Sequence, residues 1–180
     1  MDERTIIGFL DETSPQTTAN TQRLWSFNKP EVYKNTTKMR ANAFGFYALN
    51  GRSVMDFKEH SKKEDICEFL RTIREGNPGR RIVVVLDNFS SHRAKDTIIC
   101  AEECGIELVF LPPYSPDLNP IEFIWKSIKR VVSRTFIVDL DHLKSLIEEH
   151  FMRYSSKLSF AAGWVEKFIK EDYKCVLFGS

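Results

Sequence analysis

Two apolar runs, each closed by an aspartate, constrain this chain more than any other feature. Residues 4–11 read RTIIGFLD and residues 80–87 read RRIVVVLD. Runs that stay apolar without alternating mark strands buried on both faces. Such strands need cover above and below, so the chain must also supply helices to pack on them.

The sequence between and after them does so. ANAFGFYAL (41–49) reads as a strand, Asn50-Gly51 as a two-residue hairpin turn, and RSVMDF (52–57) as the returning partner. From 62 to 75 the period changes: Ile66, Phe69, Leu70 and Ile73 fall on one helical face, and Asn77-Pro78-Gly79 ends that helix. A helix is expected over 93–104, a strand over 106–112, and a turn-rich loop from Pro113 to Asn119. Three helices close the chain. The first repeats Ile121, Ile124, Ile128 and Val131. The second covers 139–154 with Leu140, Leu143, Ile147 and Phe151 inward, and a short last one covers 160–170. The stretch 12–40 is polar and irregular, with order expected only at Trp25-Ser26-Phe27. A hairpin followed by alternating helices and strands predicts an α/β fold, a mixed sheet covered by helices. No linker divides the 180 residues, so one domain over 1–180 is expected.

Composition narrows the function classes. With 14 Phe, 3 Trp and 5 Tyr the chain can fill a core, which excludes disorder as its main state. No apolar run approaches the roughly 18 residues of a membrane span, and the acidic start MDERTIIGFLDE lacks the marks of a signal peptide. Cys67, Cys100, Cys104 and Cys175 form no CxxC pair, so reduced, packed thiols in a reducing compartment are expected. Net charge is +1 overall but −3 over 1–20, +6 over 21–63, −5 over 64–122 and +3 over 123–180. A uniformly basic coat is absent; ordinary surface charge is the simpler account of the pattern, and a basic rim around an acidic centre is the alternative.

The candidate chemistry gathers at the strand ends. Asp11 and Asp87 both stand at the carboxyl end of a buried strand, where ligand sites of open α/β sheets collect. On neighbouring strands their side chains would lie about 5 Å apart. Two anions so close repel, and a divalent cation shared between them removes the conflict. Capping of the following loop is the simpler role for either aspartate taken alone. Glu122 is the third acid, in LPPYSPDLNPIEFIWKSIK (111–129). Asn119, Pro120 and Glu122 also have the spacing of a capping box, so a helix cap competes with metal ligation for that carboxylate. Asn88 and His92 follow Asp87 closely enough to support a site there. No G-x-S-x-G frame and no glycine-rich phosphate loop occurs.

FLDET (9–13), VVVLDNFSSH (83–92) and LPPYSPDLNPIEFIWKSIK together resemble the catalytic domain of DDE transposases of the mariner superfamily and its insertion-sequence relatives of bacteria and archaea. The 34 residues between Asp87 and Glu122 match the separation of the second and third acids in that superfamily. The resemblance implies an RNase H-like fold, a five-stranded mixed sheet flanked by helices. It implies that Asp11, Asp87 and Glu122 are the acidic triad holding two Mg²⁺ or Mn²⁺, with Glu12 outside the triad; Asn88, His92 and Asn119 are candidate supporting residues on their own placement near the acids. The activity implied is DNA cleavage followed by strand transfer, in the cytoplasm at the nucleoid, on transposon ends and target DNA. The implied protein partner is a second copy or a full-length transposase. Lys126, Lys129 and Arg130 are candidate contacts for the DNA backbone, in an interaction weakened by salt. Met1 lies ten residues before Asp11, so the family's N-terminal helix-turn-helix region is expected to be absent. Two rival readings accompany this one: a silent fragment that pairs with a full-length copy, and a metal-dependent nuclease that stops at water attack.

Overall fold

The computed structural model describes residues 5–18, 27, 35–113 and 115–169. Its centre is a five-stranded sheet. Strands β1 (Thr5–Thr13), β2 (Ala43–Ala48), β3 (Val54–Phe57), β4 (Arg81–Leu86) and β5 (Ile106–Phe110) stand in the order β3-β2-β1-β4-β5. β2 runs antiparallel to β1 and β3, whereas β4 runs parallel to β1 and β5. The sheet is therefore mixed, as the hairpin-then-alternation pattern requires.

Both faces are covered, which explains the unbroken apolar runs. Alternate residues of β1 enter different cores: Ile6 and Leu10 meet α1 (Lys63–Gly76) and α2 (Lys95–Glu103). Ile7 and Phe9 meet α3 (Ile121–Val132), α4 (Leu140–Ser155) and α5 (Ala162–Phe168). The predicted inward stripe of α1, Ile66, Phe69, Leu70 and Ile73, is wholly buried. In α4 the expected Leu143, Ile147 and Phe151 are buried, but Leu140 is exposed, because it opens the helix beside its Asp139 cap rather than lying in its stripe. In α3 Val132, not Val131, takes the last core position. Gly105 ends α2 with φ +63°, a left-handed closure that suits glycine and turns the chain directly into β5.

Two local expectations are corrected. The β2–β3 hairpin pairs Phe46 with Val54, so its loop is longer than Asn50-Gly51 alone, and Gly51 does not have the positive φ of a tight primed turn. The Asn50 side chain is spent on β1 instead, accepting from the Ile7 amide at 3.1 Å and donating to the Thr5 carbonyl at 2.9 Å. β1 also extends to Thr13, into the stretch read as irregular, and Gln16 bridges to Arg40 beyond it. Phe27 is exposed, while Trp25 and Ser26 lie outside the described residues. Cys67, Cys100 and Cys104 are free thiols, as expected; Cys175 lies outside the described residues.

Candidate active site

The parallel pairing of β1 and β4 decides the site. Its register joins Thr5 to Arg81 and Phe9 to Val85, and the same offset carries Asp11 to Asp87, just past the end of β4. The two aspartates thus emerge side by side on the sheet face that α3 covers. Glu122, second residue of α3, comes to the same place from above. Asp11, Asp87 and Glu122 share the wall of one cavity of about 550 Å³, with Asn88, Phe89, Arg93, Asn119 and the Leu111–Pro113 turn around them.

Electrostatics identify Asp11 as the crowded member. It is buried, and desolvation holds its carboxyl well above the usual carboxylate range. The negative charges of Glu122, Glu12 and Asp87 add to that rise, and one backbone hydrogen bond opposes it. Asp87 goes the other way: its hydrogen bond with His92 lowers it against partial burial, with help from the Phe89 amide. Neighbouring carboxyls pushed apart in this way are a mark of a chemical site.

The capping box does not form. Pro120 precedes α3 without any side-chain cap, and the Glu122 amide donates only to the Asn119 carbonyl, at 3.1 Å. Asn119 Oδ1 is buried with no hydrogen-bond partner among the described residues, and its side chain lines the cavity. The three carboxylates at the cavity wall are a donor set suited to a hard cation. Among the described residues no three Asp, Glu, His or Cys side chains stand close enough together to hold a metal ion as they lie, so the three carboxylates would have to draw in around one. Mg²⁺ keeps several of its waters and so needs no closed cage of side chains.

The other sequence candidates fall into place unevenly. Asn88 donates its amide to the Leu111 carbonyl, tying the loop after β4 to the turn after β5, while it lines the cavity. His92 is neither a surface loop residue nor a wall of the cavity. It is fully buried, with Nδ1 at 2.7 Å from Asp87 Oδ1 and Nε2 at 3.0 and 3.1 Å from the Glu12 carboxylate. Burial pulls the imidazole pKa down, but the hydrogen bonds to Asp87 and Glu12 and their charges outweigh it, leaving the group at about 10. Lys126, Lys129 and Arg130 are exposed and do not line the cavity. Their spacing of four, seven and eight residues from Glu122 sets them in a stripe along α3 that leads away from the site.

Two further residues are placed here only by the fold. Glu12 stands beside Asp11 in sequence, yet strand alternation sends it to the opposite face, where it meets His92. Arg93 is an exposed cation on the cavity wall, and its place after the SSH turn gives no signal of that in the sequence.

The chain belongs to the DDE superfamily of endonucleases, whose model matches residues 7–144. In sequence and fold it is similar to transposases of the mariner and Tc1 kind. The Tcb2 transposable-element transposase of Caenorhabditis briggsae is 36% identical over 70 residues, which is 38% of this chain and 26% of that protein. The mariner Mos1 paired-end complex with Mg superposes with a TM-score of 0.67 at 17% identity, over 96% of this chain and 54% of that one. The catalytic domain of Mos1 mariner transposase gives 0.58 at 18%, over 87% and 77%. The fold is thus the RNase H-like one that the resemblance implied. The chain spans about a quarter of the Tcb2 protein and about half of the Mos1 chain in that complex.

Proposed function

We propose that this chain, as one catalytic domain over 1–180, cleaves DNA phosphodiester bonds and joins the freed 3′ ends to target DNA, with Asp11, Asp87 and Glu122 holding two Mg²⁺ or Mn²⁺. The observation that carries the reading is that Asp11, Asp87 and Glu122, from three separate elements, line one cavity, where the Glu122 and Asp87 charges crowd the buried Asp11. Three carboxylates gathered in partial burial repel one another until a cation joins them. Held by Asp11, Asp87 and Glu122, two divalent ions would supply charge neutralisation of the phosphodiester, activation of the attacking water or 3′-hydroxyl, and stabilisation of the leaving oxygen.

The rest is the work of the chain's own residues. Asp11 is held rigidly by its strand, with Gly45 as its partner across β2. Glu122 rides the first turn of α3 and brings the third carboxylate from a different element. Arg93, exposed at the cavity wall, is suited to a backbone phosphate of the bound strand. Lys126, Lys129 and Arg130 extend that track along α3. The partners are accordingly transposon-end and target DNA and a second copy of a transposase chain, and the place of action is the cytoplasm at the nucleoid. Similar chains have been solved as a Mos1 strand transfer complex and as paired-end complexes with Mg and with Mn. Among the described residues no helix is long and apolar enough to cross a membrane.

The test is Mn²⁺ calorimetry on wild type and Asp87→Ala, followed by incubation with a duplex and assay for nicking and joining. Binding lost in the variant together with joined products supports the proposal. Nicking that never proceeds to joining restricts the chain to hydrolysis. A folded wild type that binds no Mn²⁺ overturns the reading and leaves a pairing module in its place.

A further inference from the structure

Asp87 stands in an awkward position for a metal ligand. It follows the last residue of β4, its side chain is half exposed, and no strand pairing restrains it. A carboxylate so placed is free to sample several rotamers. Yet Oδ1 accepts from the Phe89 amide at 3.0 Å and from His92 Nδ1 at 2.7 Å, two donors on one oxygen. The contacts among described residues leave Oδ2 as the oxygen available to the cavity. His92 in turn cannot rotate away. It is 0% exposed, its ring packs edge-on against Phe89, and Nε2 meets both oxygens of Glu12. Glu12 is the chain neighbour of Asp11 but projects through the opposite face of β1. The ligand strand β1 and the ligand loop after β4 are therefore joined by a buried side-chain bridge running behind the site.

We propose that Glu12 and His92 form a positioning relay: Glu12 fixes the His92 ring, and His92 clamps Asp87 Oδ1 so that Oδ2 is presented to a divalent cation shared with Asp11. The inference rests on the metal-site reading above. It assigns Glu12 a job that is distinct from ligation, since its carboxylate is occupied by the imidazole and nearly buried. Partners that orient a ligand are commonly worth about 10–100-fold in metal affinity.

The experiment measures Mn²⁺ affinity by calorimetry, and the coordination of the ion by electron paramagnetic resonance, in the full chain. Circular dichroism and thermal melting report folding on the same samples. His92→Ala should weaken binding by about 10–100-fold and alter the resonance spectrum. His92→Asn offers its amide where Nδ1 stands and should recover most of the affinity. His92→Gln offers its amide where Nε2 stands, keeps Glu12 occupied, leaves Asp87 unclamped, and should not. A residue that merely filled space would not separate Asn from Gln, so equal recovery by both overturns the relay, as does His92→Ala binding within about threefold of wild type. Should the alanine variant fail to fold, the Asn and Gln pair still decides. The failure of the site reading itself looks different: wild type would bind no Mn²⁺, or would keep binding after Asp87→Ala, and the relay would fall with it.

Discussion

Gly45 is where the fold and the site press hardest on each other. It pairs with Asp11 across β1 and β2, and its open face points at the rings of α3 and α4. A Cβ built there lies 2.5 Å from Trp125 Cζ2 and 2.7 Å from Phe151 Cε2. Carbon atoms rest about 3.5–4.0 Å apart, so each ring has to retreat by about 1 Å. Neither has space to do so, since both are fully buried and stacked on each other at 5.1 Å. Overpacking of this kind costs about 1–3 kcal/mol. Alanine recovers about 0.4–1 kcal/mol by restricting the unfolded chain. Gly45→Ala should therefore lose about 1.3 kcal/mol net at the centre of these ranges, a fall of roughly 3–5 °C in Tm for a chain of this size. The loss should reach the site, because Trp125 sits one turn after Glu122 on α3, and a displaced Trp125 moves the carboxylate. We expect weaker Mn²⁺ binding alongside the lower Tm. Gly163 in α5 is the control: a Cβ there meets nothing within 4 Å, so Gly163→Ala should keep or raise the Tm. Thermal melts of the three proteins with and without Mn²⁺ make the comparison. A Gly45→Ala protein melting at or above wild type would refute the steric argument.

Three other outcomes are expected. Asp11→Asn relieves the most crowded carboxylate, so the metal-free variant should be more stable than wild type by about 0.5–2 kcal/mol while losing Mn²⁺ binding; a Tm at or below that of wild type would count against the crowding. The raised pKa of His92 means its ion pairs stabilise fully below about 6.5 and are lost as pH rises through about 10. Metal-free wild type should thus lose Tm across that window relative to His92→Gln, and parallel curves would show that the bridge is not formed. Arg74 donates to the carbonyls of Cys104, Arg80, Asn77 and Gly105 at 2.6 to 3.1 Å, stitching the end of α1 to the entries of β4 and β5. Arg74→Ala should lose about 2–3 kcal/mol in a denaturant melt, and Arg74→Lys should recover little, because one ammonium cannot replace a planar fork.

How much of this was legible in the sequence depended on whether the cause was local. The continuous runs ending in Asp11 and Asp87 specify doubly covered strands because burial on both faces leaves no room for polar alternation. The α1 stripe and the Gly105 stop follow from helical period and backbone freedom, which need only neighbours in sequence. The block from Leu111 to Lys129 and its distance from Asp87 were enough to point to the superfamily.

The tertiary structure decided what depends on partners distant in sequence. Asn50-Gly51 has the letters of a tight turn, but Asn50 has a better use against β1, 43 residues away for the Ile7 bond, and the hairpin loop lengthens. Asn119 and Glu122 have the spacing of a capping box, and local chemistry favours it. The box is left unmade where both residues turn to a cavity walled by two other strands' ends. Glu12 shows the limit most clearly. Next to Asp11 it reads as a spare acid, and only the parallel register of β1 with β4 brings His92, 80 residues on, behind the sheet to meet it. Period and propensity act over a few residues of chain, whereas register is a property of two strands, so which acids face a common cavity and which one braces it is settled only when the sheet is assembled.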